Sequence, residues 1–351
     1  MDHKKKVQRT ILIIFGAIIL SFMIFQKPVK ANIKSLLLIS QELPQIPIKP
    51  LYKITKTPSH QNIHLDSPDG PVVADLFISQ NSKKNKPALI IAMGVKTSDK
   101  DKPIILGFAE TLSRLGFIVL WPRSEILEQG ISDFEKPSTF SESYRFLENQ
   151  EIVNKNRISF VGFSVGSSIA FSAIADPQIS GKTRSLIFFG GYYDVFEYLE
   201  NLSSQTITQN GQKISWHPDQ SATNHVKEIL TFNNSQLLSL FNDPKSQKTA
   251  QEILKSLPQN EIEKFKMISP KEKIGEYKTP TFILHERNDT FVPYTQSLAL
   301  KTALPKNLQK SYLIINLFEH VQPQKGFSPK ILGEIFKLYL FLYQTLYFLD
   351  S

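Results

Sequence analysis

Ser164 is the residue of this chain best placed to act as a nucleophile. It sits in Gly162-Phe163-Ser164-Val165-Gly166, between the apolar run Ile158 to Phe163 and a stretch of small residues, Val165 to Ala175, that suits a helix. A strand that reverses into a helix over so few residues forces the turning residue into strained backbone angles, and glycines on both sides relieve the crowding. A serine hydroxyl is a poor nucleophile until a base takes its proton, so this chemistry needs a histidine and then an acid to orient it. Seven histidines are available, at positions 3, 60, 64, 217, 225, 285 and 320. Two aspartates stand just beyond strand-like runs: Asp194 after Phe189-Gly190-Gly191, and Asp289 after Thr281 to Leu284. The negative charge that develops on an attacked carbonyl needs backbone donors, and the residue after the nucleophile, Val165, supplies one.

Those residues need a frame, and the pattern of apolar runs describes one. Asn62 to Asp66 and Val72 to Ile78 flank the turn-forming Ser67-Pro68-Asp69-Gly70 and read as a hairpin. Ala88 to Ala92 then reads as a strand, Ile104 to Leu115 as a helix ending at Gly116, and Phe117 to Trp121 as a strand. Phe140 to Leu147 follows as a helix, and Ser185 to Phe189 as a strand beyond the serine's helix. Alternation of this kind predicts an α/β protein with a mostly parallel central sheet and helices on both faces. It pauses over 192–270, where helix-compatible segments and a hairpin around Asn210-Gly211 predict an inserted, mainly helical cap. It resumes with Thr281 to Leu284, a helix near Thr295 to Thr302, a strand Tyr312 to Leu317 and a last apolar helix, Ile331 to Leu349. Glu334, Lys337 and Gln344 interrupt that helix, so it is expected to pack on the sheet rather than cross a membrane.

From about residue 60 to the end, the chain resembles the α/β-hydrolase superfamily, nearest its dienelactone-hydrolase-like and esterase-like branch. The resemblance is carried by "RISFVGFSVGSSIA", "HERNDTFVP" and "FEH". It implies the α/β-hydrolase fold and a triad in the order serine, acid, histidine. Ser164 is then the nucleophile, His320, just past a late strand, the base, and Asp289 the acid, with Asp194 the runner-up one strand earlier. It also implies a second oxyanion donor after an early strand. "IIAMGV" stands where many members have His-Gly, so the Val95 amide is the expected donor, with Met93 a departure from the pattern. The implied activity is hydrolysis of a carboxylic ester or related acyl bond on a small-molecule substrate, with no cofactor. Tyr192, Tyr193 and Trp216 are candidate substrate-binding residues, with Phe196, Tyr198 and Phe232 beside them, although aromatics of a cap more often pack its interior. A peptidase of the prolyl-oligopeptidase kind shares the triad but brings a propeller for which residues 26–60 leave no room. A catalytically inactive, membrane-tethered binding module is the alternative outside enzymes.

Composition narrows the remaining classes. The chain of 351 residues has 41% hydrophobic and 21% charged residues, ordinary for a globular protein. The absence of cysteine excludes thiolate catalysis, disulfides and Cys-ligated zinc, and there is no H-E-x-x-H run, so no metal is expected. The formal charge of +9 does not indicate a nucleic-acid partner, because Lys4, Lys5, Lys6, Arg9, Lys27, Lys30 and Lys34 put most of it in the first 34 residues. These cations bracket the apolar run Ile11 to Phe25, so residues 1–30 read as a membrane anchor or signal segment. Fifteen residues span about 23 Å as a helix, short of a hydrocarbon core of about 30 Å. The flanking charges nonetheless favour a retained anchor over cleavage after Ala31. In either case the basic end stays on the cytoplasmic side and the catalytic body outside it, membrane-anchored or, after cleavage, secreted or periplasmic. Residues 31–60, with Pro44, Pro47, Pro50 and Pro58, read as a tether or wrapping arm closed to helix and central strand alike. The core is expected over 61–191 and 271–351, with the cap over 192–270.

Overall fold

The computed structural model describes residues 26–80, 84–131, 133–232, 238, 250–324 and 329–351. Its centre is an eight-stranded sheet in the order β1-β2-β4-β3-β5-β6-β9-β10. β1 (Ser59–Leu65) and β2 (Val72–Ile78) form the expected hairpin, and β2 pairs antiparallel with β4 (Ile118–Ser124). From β4 onward every neighbour is parallel, through β3 (Lys86–Met93), β5 (Val153–Phe163), β6 (Ser185–Phe189), β9 (Thr281–Glu286) and β10 (Gln309–Ile315). A parallel strand must be buried on both faces. Accordingly Ile90, Phe160 and Phe188 face one buried cluster while Leu89, Ile91, Val161 and Phe189 face the other.

Helices make up both outer layers. On the first face, after the single turn α4 (Glu125–Glu128) in the chain, lie α5 (Pro137–Glu148) and α6 (Val165–Ile174), contributing Phe140, Tyr144, Ile169 and Phe171. On the second lie α3 (Lys102–Arg114) and the C-terminal helix Pro329–Asp350, contributing Leu112, Leu338, Phe341 and Leu346. The C-terminal helix therefore packs on the sheet as its interrupted apolar pattern predicts. No helix among the described residues is long and apolar enough to cross a membrane. The run Ile11 to Phe25 lies outside the described residues.

The stretch 31–60 departs from expectation. A helix, α1, occupies 26–42, and a short one, α2 (Leu51–Ile54), follows. Pro28 lies in the first turn of α1, where a proline is tolerated, and the next proline is Pro44, so the prolines end α1 instead of forbidding it. Ala31, Leu38, Ile39 and Leu43 are buried, three of them in the second cluster. Lys34 Nζ lies 2.8 Å from Asp350 at the far end of the chain. Burial outweighs that pairing and brings the Lys34 ammonium down to about 8. Arg114 of α3 donates to the Thr55 carbonyl at 3.0 Å, holding the arm further along. The arm is thus a layer of the core and not a loose tether.

Between β6 and β9 the chain forms α7 (Val195–Ser204), the hairpin of β7 (Thr206–Gln209) and β8 (Gln212–Ser215), and α8 (Gln220–Phe232). Two further helices, Ala250–Ser256 and Gln259–Met267, and the single turn Pro270–Lys273 lead back to the sheet. Asn210 and Gly211 both take positive φ, 49° and 79°, the pair of angles a two-residue hairpin turn needs.

Candidate active site

Ser164 sits between β5 and α6 with φ 52° and ψ −138°. A non-glycine residue in that conformation is strained, and the surroundings hold it there. The Ser164 N–H donates to the Phe189 carbonyl at 2.8 Å, and its own carbonyl accepts from Ser167 N–H at 2.9 Å. Every residue of α6 is buried. The helix can lie that close to β3 only because Gly166 in its first turn has no side chain. A Cβ on Gly166 would stand 2.2 Å from the Ala92 carbonyl oxygen and 2.7 Å from Gly94 N, and one on Gly94 would meet Gly166 N at 2.3 Å. These two glycines press the loop after β3 against the first turn of α6, which brings the chain around Val95 to the N-terminus of the serine's helix. Val95 forms a bridge with Phe134, yet the adjoining hydrogen bond runs from Glu135 N–H to the Gly94 carbonyl and does not use the Val95 N–H.

Asp289 and His320 meet. The Asp289 Oδ2 lies 2.6 Å from His320 Nδ1, and Asp289 is almost wholly buried. Its Oδ1 accepts the N–H groups of Phe291 at 2.7 Å and Val292 at 3.0 Å. Burial alone would raise this carboxyl. The charges of, and hydrogen bonds from, His320 and His285 outweigh it, and the group is held far below the usual carboxylate range. His320 has φ 57° and stands at the turn between two short strands, Phe318–Glu319 and Gln322–Pro323. The ring of Phe291 stacks on its imidazole, centroids 4.8 Å apart and planes within 17°. Gly190, which follows the Phe189 that anchors Ser164, completes the neighbourhood: a Cβ there would lie 3.5 Å from His320 Cε1 and 3.6 Å from Asp289 Oδ2.

Three participants were not legible beforehand. His285 is fully buried, with Nε2 2.8 Å from the Val292 carbonyl and 3.3 Å from Asp289 Oδ2, and Nδ1 beside Ser297 Oγ. A carbonyl only accepts, so Nε2 carries a proton. Phe291 is the second. The third is Glu286, the last residue of β9, whose Oε2 accepts from Leu317 N–H at 2.8 Å and Phe318 N–H at 2.9 Å, and whose Oε1 accepts from Asn288 N–H at 3.3 Å. One buried carboxylate therefore joins the acid's loop to the histidine's loop. Burial pushes that carboxyl up despite these three donors. Nothing about the residue type announces such roles; they depend on which loop ends adjoin.

Other candidates fall elsewhere. Asp194 caps α7, accepting from Phe196 N–H at 3.0 Å, and pairs with Lys271 Nζ at 2.7 Å, so its carboxylate is committed away from His320. Tyr192, expected to touch substrate, is corrected: it is fully buried, its hydroxyl donates to the Ile268 carbonyl at 3.1 Å and its ring stacks on Tyr198. Trp216 is corrected likewise. It is buried and its indole N–H donates to the Asp289 carbonyl at 2.9 Å, which makes the cap a support of the acid loop. Tyr193 alone of the three remains half-buried. The side chain of Phe232 lies outside the described residues. Among the described residues no group of three or more His, Asp or Glu side chains could hold a metal ion.

The sheet order, the strained serine at the β5–α6 turn and the late acid and histidine loops define an α/β-hydrolase fold. Among known proteins, a solved structure with a TM-score above 0.5 shares that fold. The BD-FAE family model matches residues 148–304, which run from the end of α5 past β9. An acylaminoacyl peptidase bound to a chloromethyl ketone superposes with a TM-score of 0.52 at 16% identity, over 83% of this chain and 42% of that one. Acetyl xylan esterase 1 from Thermoanaerobacterium sp. JW/SL YS485 superposes with a TM-score of 0.46 at 12% identity, over 81% of this chain and 84% of the esterase. A non-reducing polyketide synthase of Emericella nidulans is 46% identical over 55 residues, 15% of this chain and 2% of the synthase. The chain thus spans about two fifths of the peptidase's length and a small fraction of the synthase's.

Proposed function

We propose that this α/β hydrolase is a serine hydrolase that cleaves a carboxylic ester or related acyl bond of a small molecule through Ser164, His320 and Asp289. The observation that carries the reading is the 2.6 Å contact between His320 Nδ1 and the buried Asp289 carboxylate. With Nδ1–H donated to Asp289, Nε2 is left as the base. It takes the Ser164 proton as Oγ bonds to the acyl carbon, and the oxyanion that forms is met by the N–H groups of Val165 and Val95. His320 then returns the proton to the leaving alcohol as the carbon–oxygen bond breaks, leaving an acyl-Ser164. Water, deprotonated by the same imidazole, releases the acid and restores the serine. Phe291 and the Asp289 contact hold the imidazole on its face and on its edge.

The likeness to an acylaminoacyl peptidase makes amide cleavage the alternative to test. A panel of p-nitrophenyl esters of rising acyl length, with matched anilides, is turned over by the wild-type chain and compared with Ser164→Ala. The expected result is ester hydrolysis that falls about 10³-fold or more in a folded variant, with anilides cleaved poorly. Undiminished turnover by a clean Ser164→Ala sample removes the serine from the mechanism, and preferred anilide cleavage moves the assignment to a peptidase. For location, we infer that Ile11 to Phe25 inserts into a membrane, with the catalytic body on the extracytoplasmic side.

A further inference from the structure

α1 and the C-terminal helix lie side by side and run in opposite directions. Near the start of α1, Lys30 and Lys34 reach Asp350 at 3.7 and 2.8 Å. Beyond the end of α1, Gln45 Nε2 donates to the Gln324 carbonyl at 2.5 Å, just ahead of the C-terminal helix. Inward residues of both helices share one buried cluster, Leu38 and Ile39 with Phe341, Leu346 and Leu349. Their outward residues are also apolar. Val29, Ile33 and Leu36 of α1 are 52–54% exposed, spaced so that they share one face. On the C-terminal helix Leu332, Phe336 and Leu340 are 42–59% exposed at four-residue spacing, and Tyr347 continues the same flank. Phe336, Tyr339, Tyr343 and Tyr347 stand as a ladder of rings 6.1–6.4 Å apart. Half of the large hydrophobic side chains exposed among the described residues lie on these two helices, which marks the face as a contact surface.

The chain ahead of α1 indicates what covers it. Ile11 to Phe25 are apolar, and Phe25 directly precedes the first residue of α1. If that run enters a bilayer, α1 begins at the bilayer surface with Val29 one turn along. The C-terminal helix, bound beside α1, is brought to the same surface. Tyrosines, with apolar rings and polar tips, suit the boundary between acyl chains and headgroups. Exposed Lys27, Lys30 and Lys330 at the helix ends suit anionic headgroups.

We propose that the face formed by α1 and the C-terminal helix lies on the lipid bilayer, so that the catalytic body is laid against the membrane and not held off it. This rests on the insertion of Ile11 to Phe25. The chain has no cysteine, so single-cysteine variants carry a nitroxide label without background. Phe336→Cys and Leu340→Cys report the face; Lys213→Cys, at a half-exposed lysine of the cap hairpin, is the control. All three sites are on the surface, so the fold is expected to survive. The full chain is reconstituted into vesicles of phosphatidylcholine with a minority of phosphatidylglycerol, and label accessibility to oxygen and to a water-soluble nickel chelate is compared. The expected result is several-fold preference for oxygen at 336 and 340 and for the chelate at 213. Chelate access at 336 equal to that at 213, in chain that floats with the vesicles, overturns the docking while leaving insertion intact. Dipolar broadening between labels at 336 assigns the face to a second copy and overturns it too. Chain that fails to float at all removes the insertion and the docking together.

Discussion

Asp289 shows what a single carboxylate does when two histidines share it. Its low proton affinity is a stability contribution, because the folded group is held below its unfolded value of about 3.9. For an acid with a depressed folded value, that contribution is complete above the unfolded value and disappears as pH falls toward the folded one. The melting temperature of the wild-type chain should therefore drop as pH falls below about 4, and Asp289→Asn should show a shallower fall in that window. Equal acid sensitivity in the two proteins would show that the pair contributes nothing to folding. The same substitution tests the chemistry. Asp289→Asn should lower kcat by about 10³–10⁴, since the imidazole tautomer is no longer held, while Asp194→Asn, which keeps a capping oxygen for Phe196 N–H but loses the Lys271 ion pair, should leave kcat within a few-fold. A reversed order of effects in ester turnover would relocate the acid to the loop after β6.

At the scale of elements, the site depends on three loops that the sheet delivers to one edge: the turn from β5 into α6, the loop after β9 and the loop after β10. Glu286 is the tie between the last two. Glu286→Gln keeps the shape but places an N–H₂ group against backbone donors, which costs about 1–3 kcal/mol for each buried group left unpaired. The expected outcome is a folded protein whose kcat falls on the order of tenfold while KM changes little, because the loops that carry Asp289 and His320 lose their shared anchor. A lower melting temperature with unchanged kcat would make Glu286 purely structural. The cap joins the same assembly from above, through the Trp216 indole on the Asp289 carbonyl and the Asp219 N–H on the Thr290 carbonyl at 2.8 Å. A segment placed in the sequence as a substrate cover is therefore also a brace for the acid loop.

At the scale of the whole molecule, the N-terminal arm belongs to the body. α1 buries Leu38 and Ile39, with Leu43 just beyond, each worth about 1.5–3 kcal/mol when covered. A chain starting at residue 26 should remain folded and active. A chain starting at residue 46 should lose several kcal/mol in urea melts and much of its activity at ambient temperature. Equal stability of the two truncations would return the arm to the status of a tether. Much of this frame was legible beforehand. Strands and helices alternate because a sheet buried on both faces demands continuous apolar runs, and a helix on such a sheet demands a striped one. Gly162-Phe163-Ser164-Val165-Gly166 between two such runs marked the strained strand-to-helix turn at Ser164, and the late strands marked where Asp289 and His320 would emerge.

α1 was missed because prolines at 44, 47, 50 and 58 dominate the composition of the arm and mask a helical stripe that ends before the first of them. Composition and periodicity are local properties, so the sequence by itself determined the element types, their order and the residues with reactive side chains. Only the tertiary structure showed that Asp289 and not Asp194 meets His320, assigned Tyr192 and Trp216 to packing, and revealed His285, Phe291 and Glu286 around that pair. Each of those outcomes depends on a distance between residues far apart in the chain. Such distances follow from how the loops close over one another, and no run of residues along the chain encodes them alone.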